Sequence, residues 1–495
     1  MDKIDALIKT DHDRWVAALF FGLVALVLCL TSTQMFYDGD TNWHVATGLW
    51  SLEHGHIPAT DPFSFTAVGR KWITHEWLSE LAMGLAFKGA GWGGVRVLIS
   101  LAFAGGMVLF IRELLRSLNL VPTLLVAMIP CRLLFSHVLA RPHVLVLPLM
   151  AICMIELLAA RRQDRLPSLW LLPMMTLWSN LHGSYIFGLA FMGFFGLEAL
   201  VDTSADRLRT GLVWAAYGAA ALACSVITPN FIDGLVYPFY VMNMADLQAI
   251  DEWKPANFST LSELEVLLVA TIFLLFYKKL SLGLVRILLL LTLLHMTLQH
   301  VRQEFILAFV GPLLLAEPLG QALKSTDAPA KIPGKAPDEA GAQVAAGGGR
   351  GLAVVAVIAV AVVLAAGLRL AIPEGRVDSE TTPVTALSHV PAEIRSQPVF
   401  NDYSFGGWLI FNHVRPFMDG RSDMYGDALF RTFLDTWRGE PDAIARTFAK
   451  YRIGWVIAPP SSTLIHWAAH APDWRRLYQD KWAAVYVRRT PLPAS

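Results

Sequence analysis

Eleven stretches of mostly apolar residues, each near the length that crosses a bilayer, constrain this chain more than any other feature. They lie at 15–33, 93–111, 121–139, 143–160, 167–179, 184–201, 211–228, 262–277, 282–298, 304–320 and 351–372. A spanning helix needs about 20 such residues, with a range of about 17–25. The window at 167–179 is shorter and draws on its flanks. The chain is 55% hydrophobic and only 16% charged, whereas a soluble domain carries about 25% charge. That balance excludes a soluble enzyme and a disordered chain. A net charge of zero with no Lys/Arg-rich stripe also excludes a basic nucleic-acid binder. Cys29, Cys131, Cys153 and Cys224 all fall inside apolar runs. No disulfide framework or zinc-type cysteine spacing is therefore available. The segment MDKIDALIKTDHDRW is too acidic for a signal-peptide start, so Trp15–Leu30 is expected to be a retained first span.

Lys/Arg placement orients the spans. The stretch 76–90, EWLSELAMGLAFKGA, is either a short span or a helix lying at the interface. If it does not cross and the N-terminus is cytoplasmic, Arg112, Arg116, Arg161, Arg162, Arg165, Arg207, Arg209, Lys278 and Lys279 all fall inside, with Lys324, Lys331, Lys335 and Arg350 of the linker. The opposite side then holds Arg70, Lys71, Lys88, Arg141, Lys254 and Arg302. If 76–90 crosses, the pattern inverts for most of the chain, so the interfacial reading is preferred.

The expected architecture is a polytopic α-helical membrane protein of about eleven spans. Residues 1–320 form the transmembrane body, with a long first external loop at 34–92. An Ala/Pro/Gly/Lys-rich, flexible cytoplasmic linker follows at 321–350, then a last span at 351–372. Residues 373–495 have the composition of a soluble, extracytoplasmic α/β domain. VFNDYSFGGWLIF, IGWVIAP and KWAAVYVRR read as strands, and DALFRTFLDTW and DAIARTFAKY as amphipathic helices.

Nearly every unusual polar cluster falls on the external side of this arrangement. The first loop carries Asp38, Asp40, Trp43, His44, Asp61, Arg70, His75 and Glu76. Later external turns carry His137, Arg141 and His143, then Asn180 and His182, then Asp251, Glu252 and Lys254, and last His300, Arg302 and Glu304. Ionisable groups near spans usually face a bundle interior or a wet cavity. Histidines and paired carboxylates predominate here over the Ser, Asn and Gly of an ordinary solvated loop, which points to one external-facing cavity.

YDGDTNWH at 37–44 is the sharpest motif. Its two carboxylates flank a glycine. One can act as a general base, or the pair can hold Mg²⁺ or Mn²⁺. Asp40 can equally N-cap the helix that begins at TNWH. HEW at 75–77 is followed by Ser79 where a zincin would have its second histidine, so zinc hydrolysis is not signalled.

An aspartate just after the first span, followed by a long external loop with surface helices, resembles the GT-C superfamily of polytopic glycosyltransferases. DGDTNWHVATGLWSLEHGHIPATDPFSFTAVGRKWITHEWLSE is similar to the first loop of bacterial members, and NDYSFGGWLIFNHVRPFMDGRSDMYGD to their C-terminal region. Protein mannosyltransferases and the lipid A aminoarabinose transferase show Asp-Glu in this loop, where this chain has Asp-Gly-Asp. The resemblance implies an inverting glycosyltransferase in the bacterial inner membrane. It would move a sugar from a polyprenyl-phosphate-linked donor to a lipid, glycan or protein acceptor in the cell envelope.

On that resemblance Asp38 or Asp40 is the catalytic base, with Mg²⁺ or Mn²⁺ on the same pair if a metal is used. Arg141 and Arg302 are candidates for the donor phosphates, since arginine binds phosphate bidentately and keeps its charge. Interfacial snorkelling is the alternative for Arg141. His44, His75, Glu76, His143, Asn180 and His182 complete the expected substrate-binding set, each with a structural alternative. The external tryptophans read as interface anchors, with sugar stacking open for one or two. Asp419, Arg421, Asp423 and Tyr425 read as a turn with an Asp-Arg pair, or as acceptor recognition. The competing classes are a transporter of a polar solute and a non-catalytic envelope scaffold. Mid-span regions nearly free of charge count against ion-coupled transport.

Overall fold

The computed structural model describes residues 10–204, 206–244, 247–326 and 348–490. All eleven apolar windows carry helix, with a break at Val146 inside 143–160 and a start only at Leu171 in 167–179. In chain order the helices of the body are α1 (Asp11–Thr31), α2 (Asp40–His54), α3 (Trp77–Ser117), α4 (Leu120–Ser136), α5 (Leu147–Arg162), α6 (Leu171–Leu181), α7 (Tyr185–Asp202), α8 (Arg207–Ser225), α9 (Phe231–Met242), α10 (Glu263–Tyr277), α11 (Leu284–Gln299), α12 (Glu304–Thr326) and α13 (Gly348–Ala371). Among the described residues, five helical segments combine spanning length with spanning hydropathy: Asp11–Thr31, Trp77–Ser117, Tyr185–Asp202, Val301–Lys324 and Ala353–Ala371. Several helices expose large apolar side chains, among them Phe20, Phe276, Val357 and Val363. Water does not tolerate such faces in number, and a bilayer requires them.

The linker expected at 321–350 falls mostly outside the described residues. Its beginning and end are helical, because α12 runs on through Thr326 and α13 starts at Gly348.

α3 is two helices in sequence. The backbone leaves helical geometry at Ala90 and Gly91, and Gly91 has φ 59° and ψ −151°, a conformation that a residue with a Cβ resists. The stretch 77–89 is thereby set apart from the long apolar helix after it. This first part crosses α2 at a pair of glycines. A Cβ on Gly48 would lie 1.9 Å from the carbonyl oxygen of Glu80, and one on Gly84 would lie 2.6 Å from the Gly48 carbonyl carbon. The two backbones touch, so residues one turn before each glycine are brought face to face. Those residues are His44 and Glu80.

After α13 the chain is tied back to the body. The Arg96 guanidinium on α3 donates to Glu374 at 2.9 Å and to the Cys29 carbonyl at 3.2 Å. Arg376 donates to the Phe36 carbonyl at 2.8 Å and lies over the Phe36 and Trp92 rings.

The C-terminal domain is a small mixed sheet with helices. Its strands are β1 (Val399–Asn401), β2 (Trp455–Ala458), β3 (Trp474–Gln479) and β4 (Ala484–Arg488), in the order β1-β2-β4-β3. β1 pairs parallel with β2, and the other neighbours are antiparallel. The inner strands β2 and β4 are almost wholly buried, which their apolar runs WVIA and AVYV anticipate. The helices are α14 (Gly406–Phe411), α15 (Ser422–Trp437), α16 (Pro441–Lys450) and α17 (Thr463–His470).

One expected strand is corrected. VFNDYSFGGWLIF begins as β1, but SFGGWLIF turns through a 3-10 helix at Tyr403–Phe405 into α14. A short apolar run suits either a buried strand or a helix. Here close approach decides: a Cβ on Gly407 would meet the Gly39 carbonyl at 2.1 Å, and one on Gly406 the Met418 carbonyl at 2.4 Å. The pair of glycines lets α14 seat against both the first loop and its own domain.

Candidate functional site

The first long loop leaves α1 through a 3-10 turn at Gln34–Phe36 and enters α2 at Asp40. The expected capping role falls to the other aspartate. The Thr41 backbone N–H and hydroxyl donate to Asp38 Oδ2 at 3.3 and 3.4 Å, satisfying helix-start donors. Asp40 is left free to accept from the Trp43 indole at 3.0 Å.

Arg141 arrives from the opposite direction. The proline after it disfavours helical backbone, and it is extended at φ −128° and ψ 159° before a one-turn helix, Pro142–Leu145. A backbone bond from Ala140 N–H to the Met35 carbonyl, 2.9 Å, fastens this segment to the first loop. The guanidinium then meets three carboxylates. Nε and Nη2 donate to the two Asp38 oxygens at 2.5 Å each, Nη2 lies 2.9 Å from Asp40, and Nη1 lies 2.5 Å from Glu252.

One cation among three buried carboxylates cannot satisfy them equally. Burial pushes the Asp38 carboxyl up, but the Arg141 charge and hydrogen bonds outweigh it and hold Asp38 below the ordinary range. Asp40 has the weaker share of the arginine. Burial, reinforced by the charges of Asp38 and Glu252, raises it to about 7. The pair is thus separated into a carboxylate fixed as an anion and one that exchanges a proton near neutrality.

Beside this triad lies a cluster of histidines and glutamates. His44 Nδ1 is 3.3 Å from Glu80 Oε1, and His44 Nε2 is 3.9 Å from Glu76 Oε2. Glu76 Oε1 faces His182 Nε2 at 3.2 Å and His75 Nε2 at 3.6 Å. Burial pushes Glu76 up to about 8 and His75 down to about 4, and it lowers His182 well below the usual histidine range.

The other expected residues are placed as follows. The His143 ring is 6.3 Å from that of His182, and its Nε2 is 3.1 Å from the His137 carbonyl. Asn180 accepts from the Trp77 indole at 2.7 Å and donates to the Thr176 and Ile227 carbonyls, so it anchors elements to one another. The Arg302 guanidinium stands over the Trp253 ring at 4.4 Å, and its charge acts on both Glu76 and Glu252. Among the described residues no carboxylate forms an ion pair with it.

The C-terminal domain closes on the same loop. Gly420 is packed so tightly that a Cβ there would lie 1.7 Å from Asp40 Oδ1. Arg421 is 1% exposed and donates to Asp419 at 2.7 Å and to Asp61 of the first loop at 2.8 Å, while lying over the Phe63 and Trp72 rings. Tyr237 on α9 and Asp423 also influence each other electrostatically across this contact. The Asp-Arg pair expected within the turn is present, and it is also a clamp between domains.

Sequence reading missed three participants. Glu252 stood among the external polar residues without an assigned role. Glu80 carries a usable signal, being four residues after Glu76 and hence on the same helical face. The Asp61–Arg421 link, 360 residues apart in the chain, has no local signal at all.

A cation on Asp38 and Asp40 does not fit this geometry. Both Asp38 oxygens and one Asp40 oxygen face Arg141, and the other Asp40 oxygen accepts from Trp43. A divalent ion such as Mg²⁺ or Mn²⁺ there would have to displace the guanidinium. Among the described residues, His44, Glu76 and Glu80 can hold a metal, offering ligand atoms within 4.8 Å of one another.

No family model matches the chain, and no curated protein matches it. Among solved structures it is similar to the archaeal oligosaccharyltransferase AglB from Archaeoglobus fulgidus in complex with an inhibitory peptide and a dolichol-phosphate, at a TM-score of 0.42 and 12% identity over 90% of this chain and 69% of that one. The apo form of the Archaeoglobus fulgidus oligosaccharyltransferase gives a TM-score of 0.43 and 11% identity with the same coverage.

Proposed function

We propose that this chain is an inverting membrane glycosyltransferase that takes its sugar from a polyprenyl-phosphate-linked donor. The acceptor would be a lipid, glycan or protein of the cell envelope, at the extracytoplasmic face. One observation carries the reading: Asp38 and Asp40, two residues apart, share Arg141 yet are pushed to opposite sides of the ordinary carboxylate range. In this proposal Asp40 is the general base, because an ionisable group near neutrality best balances being deprotonated against being basic. Asp38 holds Arg141 and the start of α2 in place.

The acceptor hydroxyl gives its proton to Asp40, and its oxygen forms a bond to the anomeric carbon. The bond from that carbon to the phosphate oxygen breaks, and the polyprenyl phosphate leaves with the electron pair. One displacement inverts the anomeric centre. Arg141 is largely consumed by carboxylates, so Arg302, held over Trp253 without a carboxylate partner among the described residues, is the better candidate for the donor phosphate.

The test is transfer of labelled sugar from a polyprenyl-phosphate donor in proteoliposomes. Asp40→Asn should abolish transfer, and Asp38→Asn should weaken it through misplacement of Arg141. Full activity in Asp40→Asn overturns the assignment.

A further inference from the structure

The geometry points to a transition-metal site of the zinc type on His44, Glu76 and Glu80, separate from the Asp38–Arg141–Asp40 triad. All three side chains are buried, Glu80 at 2% and His44 at 3% exposure. Their ligand atoms lie within 4.8 Å of one another, and His44 Nδ1 and Glu80 Oε1 are 3.3 Å apart. Tetrahedral zinc with bonds of about 2.0–2.2 Å places its ligand atoms about 3.3 Å apart. Small side-chain rotations therefore complete the set.

An independent observation marks the place. Glu80 Oε2 is buried and has no hydrogen-bond partner, and an unpaired buried carboxylate oxygen is costly. A bound cation removes that cost and neutralises two glutamates at once. One imidazole with two carboxylates suits zinc better than Mg²⁺, which prefers an all-oxygen shell and keeps its waters. His182, 3.2 Å from the second oxygen of Glu76, would orient that ligand from outside, as partners of metal-bound carboxylates commonly do. His44 on α2 and Glu80 on the first part of α3 lie one turn from the Gly48–Gly84 crossing, and Glu76 is the residue just before α3. The ion would therefore pin the two helices that carry the first loop.

The experiment uses the full chain in detergent, stripped with chelator and re-equilibrated with Zn²⁺ alone. The metal content expected is about one zinc per chain, with thermal unfolding shifted upward on addition. Glu80→Gln and Glu76→Gln should each lower zinc affinity by at least about tenfold, while His54→Ala, an exposed histidine on the same helix, should bind as the unaltered chain does. Should the glutamine variants fail to fold, Co²⁺ on the unaltered chain gives the answer through the intense visible bands of a tetrahedral nitrogen/oxygen site. Zinc lost on dialysis, variants that bind normally, or a Co²⁺ spectrum like that of the hydrated ion overturn the proposal. None of these readouts depends on sugar transfer, so failure of the glycosyltransferase reading is a distinct result.

Discussion

Arg141 grips both oxygens of Asp38, with Nε and Nη2 each 2.5 Å from its carboxylate. This fork-to-fork contact joins the loop after α1 to the turn after α4, and it leaves the second Nη2 N–H for Asp40 and Nη1 for Glu252. Replacing Arg141 by Gln strips three carboxylates of their cation. Breaking a buried pair costs about 3–5 kcal/mol, and the lower end applies because 18% of the arginine side chain is exposed. Arg141→Gln should therefore unfold at markedly lower temperature in detergent than the unaltered chain. An unchanged transition would mean that water already screens the triad.

The raised Asp40 carboxyl predicts opposite trends in activity and stability. Its folded value of about 7 lies above the ordinary 3.8, so the folded state holds a proton that the unfolded chain has released. Its contribution to stability is present at low pH and is lost as pH rises toward about 7. The base form appears only around the folded value, so the logarithm of kcat/KM should climb with unit slope below about pH 7 and level off above about pH 8. A transfer profile flat from about pH 6 to 8 would rule out Asp40 as the base.

Much of this arrangement is legible in the chain, and the physics explains what is not. Every apolar window carries a helix, and five described segments have the length and hydropathy to cross a bilayer, where a single segment has no other way to satisfy its backbone. DGD announced itself by local spacing, as did His75–Glu76. The division of labour between Asp38 and Asp40 was not readable, since it depends on Arg141, 103 residues away. The helix at Gly406–Phe411 was hidden because its run of apolar residues fits either periodicity, and only contact with Gly39 decides. Arg421 read as a local turn because Asp61 reaches it through folding alone.

Gly420 should be intolerant of any side chain. Its Cβ would lie 1.7 Å from Asp40 Oδ1 and 2.9 Å from the Trp43 indole nitrogen, so even alanine must push the carboxylate from its place. Gly420→Ala should lower sugar transfer by about tenfold or more, equivalent to about 1.4 kcal/mol in the barrier. Gly367→Ala, where a Cβ would meet nothing within 4 Å, is the matched control. Equal activity in the two variants would show that the C-terminal domain does not shape the Asp40 environment.

Arg421 and Asp61 should behave as a coupled pair. Both are buried, and Arg421 also holds Asp419 and the rings of Phe63 and Trp72. Arg421→Gln leaves two carboxylates buried without a cation, whereas Asp61→Asn leaves the Arg421–Asp419 pair intact. The arginine change should therefore be the more damaging, by about 3–5 kcal/mol against roughly half that. Once Arg421 is gone, Asp61→Asn should turn from harmful to beneficial, because it then removes an unpaired buried charge. A double-mutant cycle on thermal unfolding reads this as a coupling of about 1–3 kcal/mol. Strict additivity would mean that the first loop and the C-terminal domain are not held together through this contact.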